Sequence, residues 1–241
     1  MRAISSGLSR LVRLLDRVMW SGVVRWGTLL TGMVSIILVF GHASSTMYGI
    51  DHGANLIAYW HIALAWTSSL ALATTFLGSL LYLRYNGRFW NRLAHSAGEI
   101  GFLFATLTLI TGSIWGKVVW NSWWEWSDVR LVTFLIVWLV YAGYLVVYSS
   151  TENSDDEKYA SVYGVIGFVT VPISYTATRL WTPTFHEATL GNENVSANID
   201  PLTLVVSIIA VTFLYAYLMG VRIKLHELED KVLWETIQNQ R

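Results

Sequence analysis

Between Trp115 and Trp126 the sequence carries five indoles in twelve residues, at Trp115, Trp120, Trp123, Trp124 and Trp126. One or two indoles at a helix end are enough for the aromatic belt where a helix meets lipid headgroups. Five together form either such a belt or a flat, ring-lined surface suited to a large planar apolar ligand. Six histidines accompany them. His61, within Tyr59-Trp60-His61, and His186, within Phe185-His186-Glu187, flank the Trp run on the same side of the topology derived below. Two neutral imidazoles so placed have the chemistry of the two axial ligands of a haem iron. Taken singly, each reads as a polar interface residue. His42 and His52 are the rival ligands, and His95 and His226 read as solvated residues of the opposite side.

Other chemistries find no residues. The absence of Cys excludes disulfides, thiolate metal sites, Cys nucleophiles and covalent haem attachment through C-x-x-C-H. Phosphate-cradling glycine loops, H-E-x-x-H and G-x-S-x-G are absent too. Neither an enzymatic activity nor a nucleic-acid partner is expected. Lys117, Arg130 and Arg179 are the only basic residues on the Trp side, which makes them candidates for charge-assisted bonds to haem propionates. Lys117 reads equally as an interfacial snorkelling residue.

The elements that must position these groups are apolar helices. The 241 residues are 54% hydrophobic and 13% charged, with mean hydropathy +0.47, against about 45–50% and about 25% in soluble domains. Apolar stretches at 26–50, 52–83, 100–116, 131–151, 159–178 and 201–221 each fit a spanning helix, the third once it is extended back past Glu99. Thirteen of the sixteen Lys and Arg fall on one side of this arrangement, so the positive-inside rule puts both termini in the cytoplasm and the Trp-rich loop between helices three and four on the outer face. The fold expected is therefore an all-α integral membrane protein. Its parts are a basic amphipathic segment over 1–25, a six-helix domain over 26–221 and an amphipathic cytoplasmic tail over 222–241. The acidic residues of 149–159 read as a solvated turn, and Glu99 as a helix-to-helix hydrogen bonder or docking group.

A resemblance is carried by Tyr59-Trp60-His61-Ile62-Ala63-Leu64-Ala65-Trp66, Glu99-Ile100-Gly101-Phe102, Thr111-Gly112-Ser113-Ile114-Trp115-Gly116 and the Trp string to Trp126. It continues through Arg130-Leu131, Tyr141-Ala142-Gly143-Tyr144, Val171-Pro172-Ile173, Tyr175, Arg179 and His186. The chain resembles the CcmC family, haem-handling membrane proteins of cytochrome c maturation. Ala63 stands where the family usually has Pro, and one additional residue lies both between Trp126 and Arg130 and between Arg179 and His186. The resemblance implies haem b bound non-covalently at the outer face of the cytoplasmic membrane, with His61 and His186 as axial ligands. Trp115, Trp120, Trp123, Trp124 and Trp126 would form its platform, with Asp128, Arg130 and Arg179 beside it. It further implies delivery to the haem chaperone CcmE and association with the transporter subunits CcmA and CcmB and with the small protein CcmD. The alternative reading is a membrane haem-b electron-transfer protein or a structural subunit of a transporter.

Because the chain lacks native Cys, single cysteines report its topology. Ser122→Cys and Asn194→Cys should react with a membrane-impermeant thiol reagent added outside intact cells, and Ser154→Cys should not; labelling at 154 would reverse the orientation.

Overall fold

In the computed structural model the described residues are 12, 14, 15, 17–19, 21–44, 46, 47, 50, 51, 53–151, 154–181 and 199–239. The basic segment expected over 1–25 lies largely outside them, as do His52 and His186. Helix α1 (Gly22–Gly41) leads through a hairpin of β1 (Thr46–Met47) and β2 (Ile50–Asp51) and a 3₁₀ turn (Gly53–Leu56) into α2 (Ile57–Tyr85). Then follow α3 (Arg88–Val119), α4 (Val129–Ser149), α5 (Ser154–Gly167), α6 (Thr170–Leu180) and α7 (Pro201–Asn239). Among the described residues six helical segments are long and apolar enough to cross a membrane, with α5 and α6 together making the fifth.

The centre is the α2–α3 hairpin, turned at Asn86 in the left-handed region (φ 51°). Every fourth residue of α2 from Tyr59 through Ala63, Thr67, Ala71, Thr75 and Ser79 is completely buried. Facing them α3 offers Ala94, Ala97, Gly98, Gly101 and Ala105, buried as well. Lipid tails are as apolar as Leu, so helices in a bilayer associate through close backbone approach rather than through the hydrophobic effect, and small residues permit it. A Cβ on Gly78 would lie 3.0 Å from the Ala94 backbone, one on Gly101 2.7 Å from Leu72, and one on Gly112 2.8 Å from the His61 ring. Thr67 and Thr75 return their hydroxyl protons to Ala63 and Ala71 carbonyls, so their burial leaves no donor stranded.

The outer helices attach by few polar contacts. Thr28 of α1 donates to the Phe213 carbonyl of α7 (3.0 Å), and Ser35 meets Ser207 at 2.9 Å. The other face of α1, with Val23, Trp26, Leu30, Met33, Ile37 and Phe40, is exposed, as a lipid-facing surface should be. On the opposite flank Val137, Tyr141 and Tyr144 of α4 close over Leu72 and over Ala160 of α5.

Several boundaries differ from the sequence expectation. The first helix stops at Gly41 rather than near residue 50, because counting charges overlooks the uncharged breakers between Gly41 and Thr46. The fifth span is broken at 168–169; Pro172 lacks an N–H and its ring crowds the carbonyl four residues back, that of Phe168. Residues 155–157 open α5 instead of forming a solvated turn, which suits acidic side chains at a helix N-terminus. There Glu157 accepts a 2.6 Å bond from the Tyr82 hydroxyl. Finally, the last span and the tail expected at 222–241 are one helix of 39 residues. Asp200 starts it by accepting from the Thr203 amide (2.7 Å), with Pro201 in the first helical position.

His95 and His226 are not solvated. His95 is buried and stacks on Tyr148 at 3.5 Å, and both imidazoles face Glu99, which Arg222 grips through two hydrogen bonds. Glu99 therefore joins α3 to α7, one of the roles expected of it. Nearby, Arg92 pairs with Asp230 at 2.6 Å.

The close approach at Gly78 generates a stability test. Gly78→Val should cost about 1–3 kcal/mol through overpacking, read as a lowered midpoint of thermal unfolding in detergent. Gly32→Val, where nothing lies within 4 Å of the added carbon, should change the midpoint far less.

Candidate functional site

Alternation of the spans brings the start of α2, the end of α3, the starts of α4 and α7 and the end of α6 to one end of the bundle. A cavity of about 350 Å³ opens among them, within the size range of ligand pockets. Its wall includes His61, Trp115, Trp120, Trp124, Arg130 and Arg179. Six of the ten residues singled out in the sequence thus come together around one space.

The orientation of His61 follows from the α2–α3 packing. Its ring lies against Gly112, and its Nδ1 is 3.1 Å from the Thr111 hydroxyl oxygen. Thr111 gives its own proton to the Leu107 carbonyl at 2.8 Å. With the Thr111 proton on that carbonyl the hydroxyl accepts from His61, the arrangement in which Nδ1 carries the ring proton and Nε2 the lone pair. That tautomer is the one a metal-ligating imidazole needs, and an acceptor on the other nitrogen is the usual means of fixing it. The Trp115 ring stands 6.0 Å from the imidazole, and its Nε1 donates to Asn55 at 3.3 Å.

The five indoles divide. Trp115, Trp120 and Trp124 line the cavity, whereas Trp123 and Trp126 do not and are 58% and 73% exposed. Trp126 packs edge-on against Trp124. The Trp124 N–H is buried with no hydrogen-bond partner among the described residues. Such a donor costs free energy until something accepts from it.

Asp128 is fully buried and accepts from the Arg130 and Leu131 amides at 3.0 and 3.1 Å, capping α4. It thereby fixes where α4 begins and how Arg130 enters the wall. Arg179 extends over the Tyr175 ring at 6.0 Å, and both residues line the cavity. Lys117 is engaged elsewhere. Its ammonium donates to the carbonyl and side-chain oxygens of Asn121, whose backbone is left-handed (φ 56°), and so braces the Trp loop. His42 is 3.7 Å from Asp200 and is not part of the wall. His186 lies outside the described residues.

The arrangement fits a planar, dianionic, iron-bearing molecule in donor type: one oriented imidazole, three indoles, an indole N–H in search of an acceptor and two guanidiniums. Comparison with known proteins points the same way. A family model described as heme exporter protein C, CcmC, matches residues 8–237. The chain belongs to the CcmC family. It is 30% identical to heme exporter protein C of Rhodobacter capsulatus over 73% of this chain and 75% of that one. With the protein of that name from Bradyrhizobium diazoefficiens it shares 30% identity over 76% and 72%. A ccmC-like mitochondrial protein of Marchantia polymorpha is 31% identical over 65% and 66%. For this CcmC-family chain the sequence reading did not single out Thr111, Gly112, Trp66 or Tyr175 as site residues. All four stand in the motifs that carried the resemblance, but a hydroxyl and a glycine give no ligand signal until the helix opposite is known.

The tautomer argument is directly testable. With ¹⁵N-labelled histidine, His61 should appear as the Nδ1–H form; Thr111→Val should shift it toward Nε2–H, and Gly112→Ala should displace the ring and broaden or move the same signals. An unchanged His61 spectrum in Thr111→Val would refute the assigned hydrogen bond.

Proposed function

We propose that this chain holds haem b as cargo at the outer face of the cytoplasmic membrane and passes it to the haem chaperone CcmE in cytochrome c maturation. In this reading it works beside CcmA, CcmB and CcmD. The observation that carries the reading is His61, held 3.1 Å from the Thr111 hydroxyl within a wall of three indoles and two arginines. Haem supplies the iron that two imidazoles can saturate, which suits a carrier better than an oxidase.

His61 Nε2 serves as one axial ligand and His186 as the second. Arg179 and Ile199, which precede and follow position 186 in the sequence, both line the cavity. Trp115, Trp120 and Trp124 offer ring faces and edges to the porphyrin, and Arg130 and Arg179 pair with its propionates. Asp128 acts through Arg130, by fixing the helix start that carries it. Trp123 and Trp126, exposed at the same end, offer a surface to the receiving protein. Support for the outer placement comes from the positive-inside rule, since the charged end with Arg84, Arg88, Arg92 and Arg222 lies opposite the Trp loop.

The deciding experiment is a visible spectrum of the purified protein, oxidised and reduced. Low-spin bis-imidazole bands are expected; His61→Ala or His186→Ala should abolish them and lower haem retention, while His42→Ala should leave them in place. Trp124→Ala should weaken haem binding by about 3 kcal/mol, by analogy with buried Trp truncation, on the order of a hundredfold in affinity. Trp26→Ala should leave it unchanged. If His42→Ala alone empties the protein of haem, the ligand assignment fails.

A further inference from the structure

At the end of the bundle opposite the cavity, Glu99 is faced by three nitrogen-bearing side chains. Arg222 donates to both carboxylate oxygens. His95, one turn earlier on α3, brings Nε2 to 3.4 Å from one oxygen. His226, one turn beyond Arg222 on α7, brings Nε2 to 3.4 Å from the other. A carboxylate has about four lone-pair positions, so the guanidinium leaves one on each oxygen for a further electrophile.

The two imidazole approaches are too long for good hydrogen bonds. Each matches one ligand-to-ligand edge of a tetrahedral ion with bonds of about 2.0–2.1 Å, the two edges being drawn from different oxygens of Glu99. The candidate ligand atoms of His95, Glu99 and His226 all lie within 4.8 Å of one another. Their surroundings orient them for the same purpose. Glu229 lies 3.0 Å from His226 Nδ1. A carboxylate only accepts, so Nδ1 holds a proton for Glu229 and Nε2 is the nitrogen turned toward Glu99. The His95 ring is fixed by its stacking on Tyr148, 8° from parallel. His95 Nδ1 and His226 Nε2 are both buried without a hydrogen-bond partner among the described residues. The protein groups alone leave the cluster's polar atoms incompletely satisfied.

We propose that His95, Glu99 and His226 bind a divalent transition-metal ion of the zinc type, through two imidazole nitrogens and one carboxylate oxygen, with a fourth position open to water. Glu229 and Arg222 stand behind these ligands as the orienting partners that metal-bound His and carboxylates characteristically have. Binding involves no redox change and releases whatever protons the imidazoles carry. The ion fastens α3 to α7 and shares no residue with the Trp-lined cavity.

The test uses the full-length protein in detergent, stripped with chelator and titrated with Co(II) as a spectroscopic probe. One Co(II) per chain should bind with the intense d–d absorption of a four-coordinate site, Zn(II) should displace it, and Zn(II) should raise the Tm. His95→Ala and His226→Ala should each weaken binding by about 10- to 100-fold, and the double variant should lose the band. His61→Ala should keep it, which separates this site from the proposed haem ligands. Glu99→Gln is set aside as the primary variant because it strands Arg222. A band that survives in the double variant overturns the proposal. So does a wild-type Tm that responds to pH but not to Zn(II), an outcome that identifies imidazolium–carboxylate pairing instead.

Discussion

The contact on which the rest of this structure depends is the approach of α2 to α3 along a line of Ala, Gly, Ser and Thr. Lipid offers no hydrophobic reward for pressing two helices together, so the contact rests on dispersion between closely matched surfaces. Such matching leaves little freedom of register. Eleven residues separate His61 from Leu72, and eleven separate Gly101 from Gly112, their opposite numbers across the hairpin. The imidazole therefore meets Thr111 and Gly112 for the same reason that Gly78 meets Ala94 at the other end. A helix pair chosen for fit holds a side chain in one place and one tautomer, which a loop would not do.

The rest of the bundle is organised by what happens at the two ends of that pair. At one end short caps and local bonds, such as Asp128 under Arg130, Asp200 under Thr203 and Lys117 across Asn121, start helices and brace the loop around a space. At the other, charges meet across helices: Arg222 and two histidines on Glu99, Arg92 on Asp230, Tyr82 on Glu157. A carboxylate inside a span is costly unless paired. Once paired it becomes a strong and directional tie between α3 and α7. The wall of the cavity is thus shaped by weak, numerous contacts and anchored from a distance by a few strong ones.

How much of this was legible in the sequence depends on what each signal measures. Hydropathy and charge counts report transfer into lipid, and they gave six spans; they do not report where a helix stops, so α1 came out too long. Nor do they show that a kink at Phe168 follows from Pro172. Charge alternation after residue 221 reads as a new amphipathic unit, although nothing there breaks a helix and α7 runs on. The Trp run and His61 were visible by type and spacing, and six of the ten nominated residues line one cavity. The small-residue stripe escaped notice because Ala, Thr and Ser carry little hydropathy and gain meaning only against a partner. His95 and His226 were misplaced for a related reason: the contacts that cover them come from other helices, Arg222 and His226 of α7 reaching Glu99 more than a hundred positions away and Tyr148 of α4 stacking on His95, and no local pattern records such contacts.

The continuity of α7 has a mechanical consequence. At about 1.5 Å per residue its 39 residues make a rod of roughly 58 Å, nearly twice the roughly 30 Å of a hydrocarbon core. One end, at Leu204 and Ile208, forms part of the cavity wall; the other projects well past the lipid. An α-helix without a hinge resists bending, so the cavity wall at Leu204, the tie to Glu99 at Arg222 and the projecting end are all carried on one stiff member.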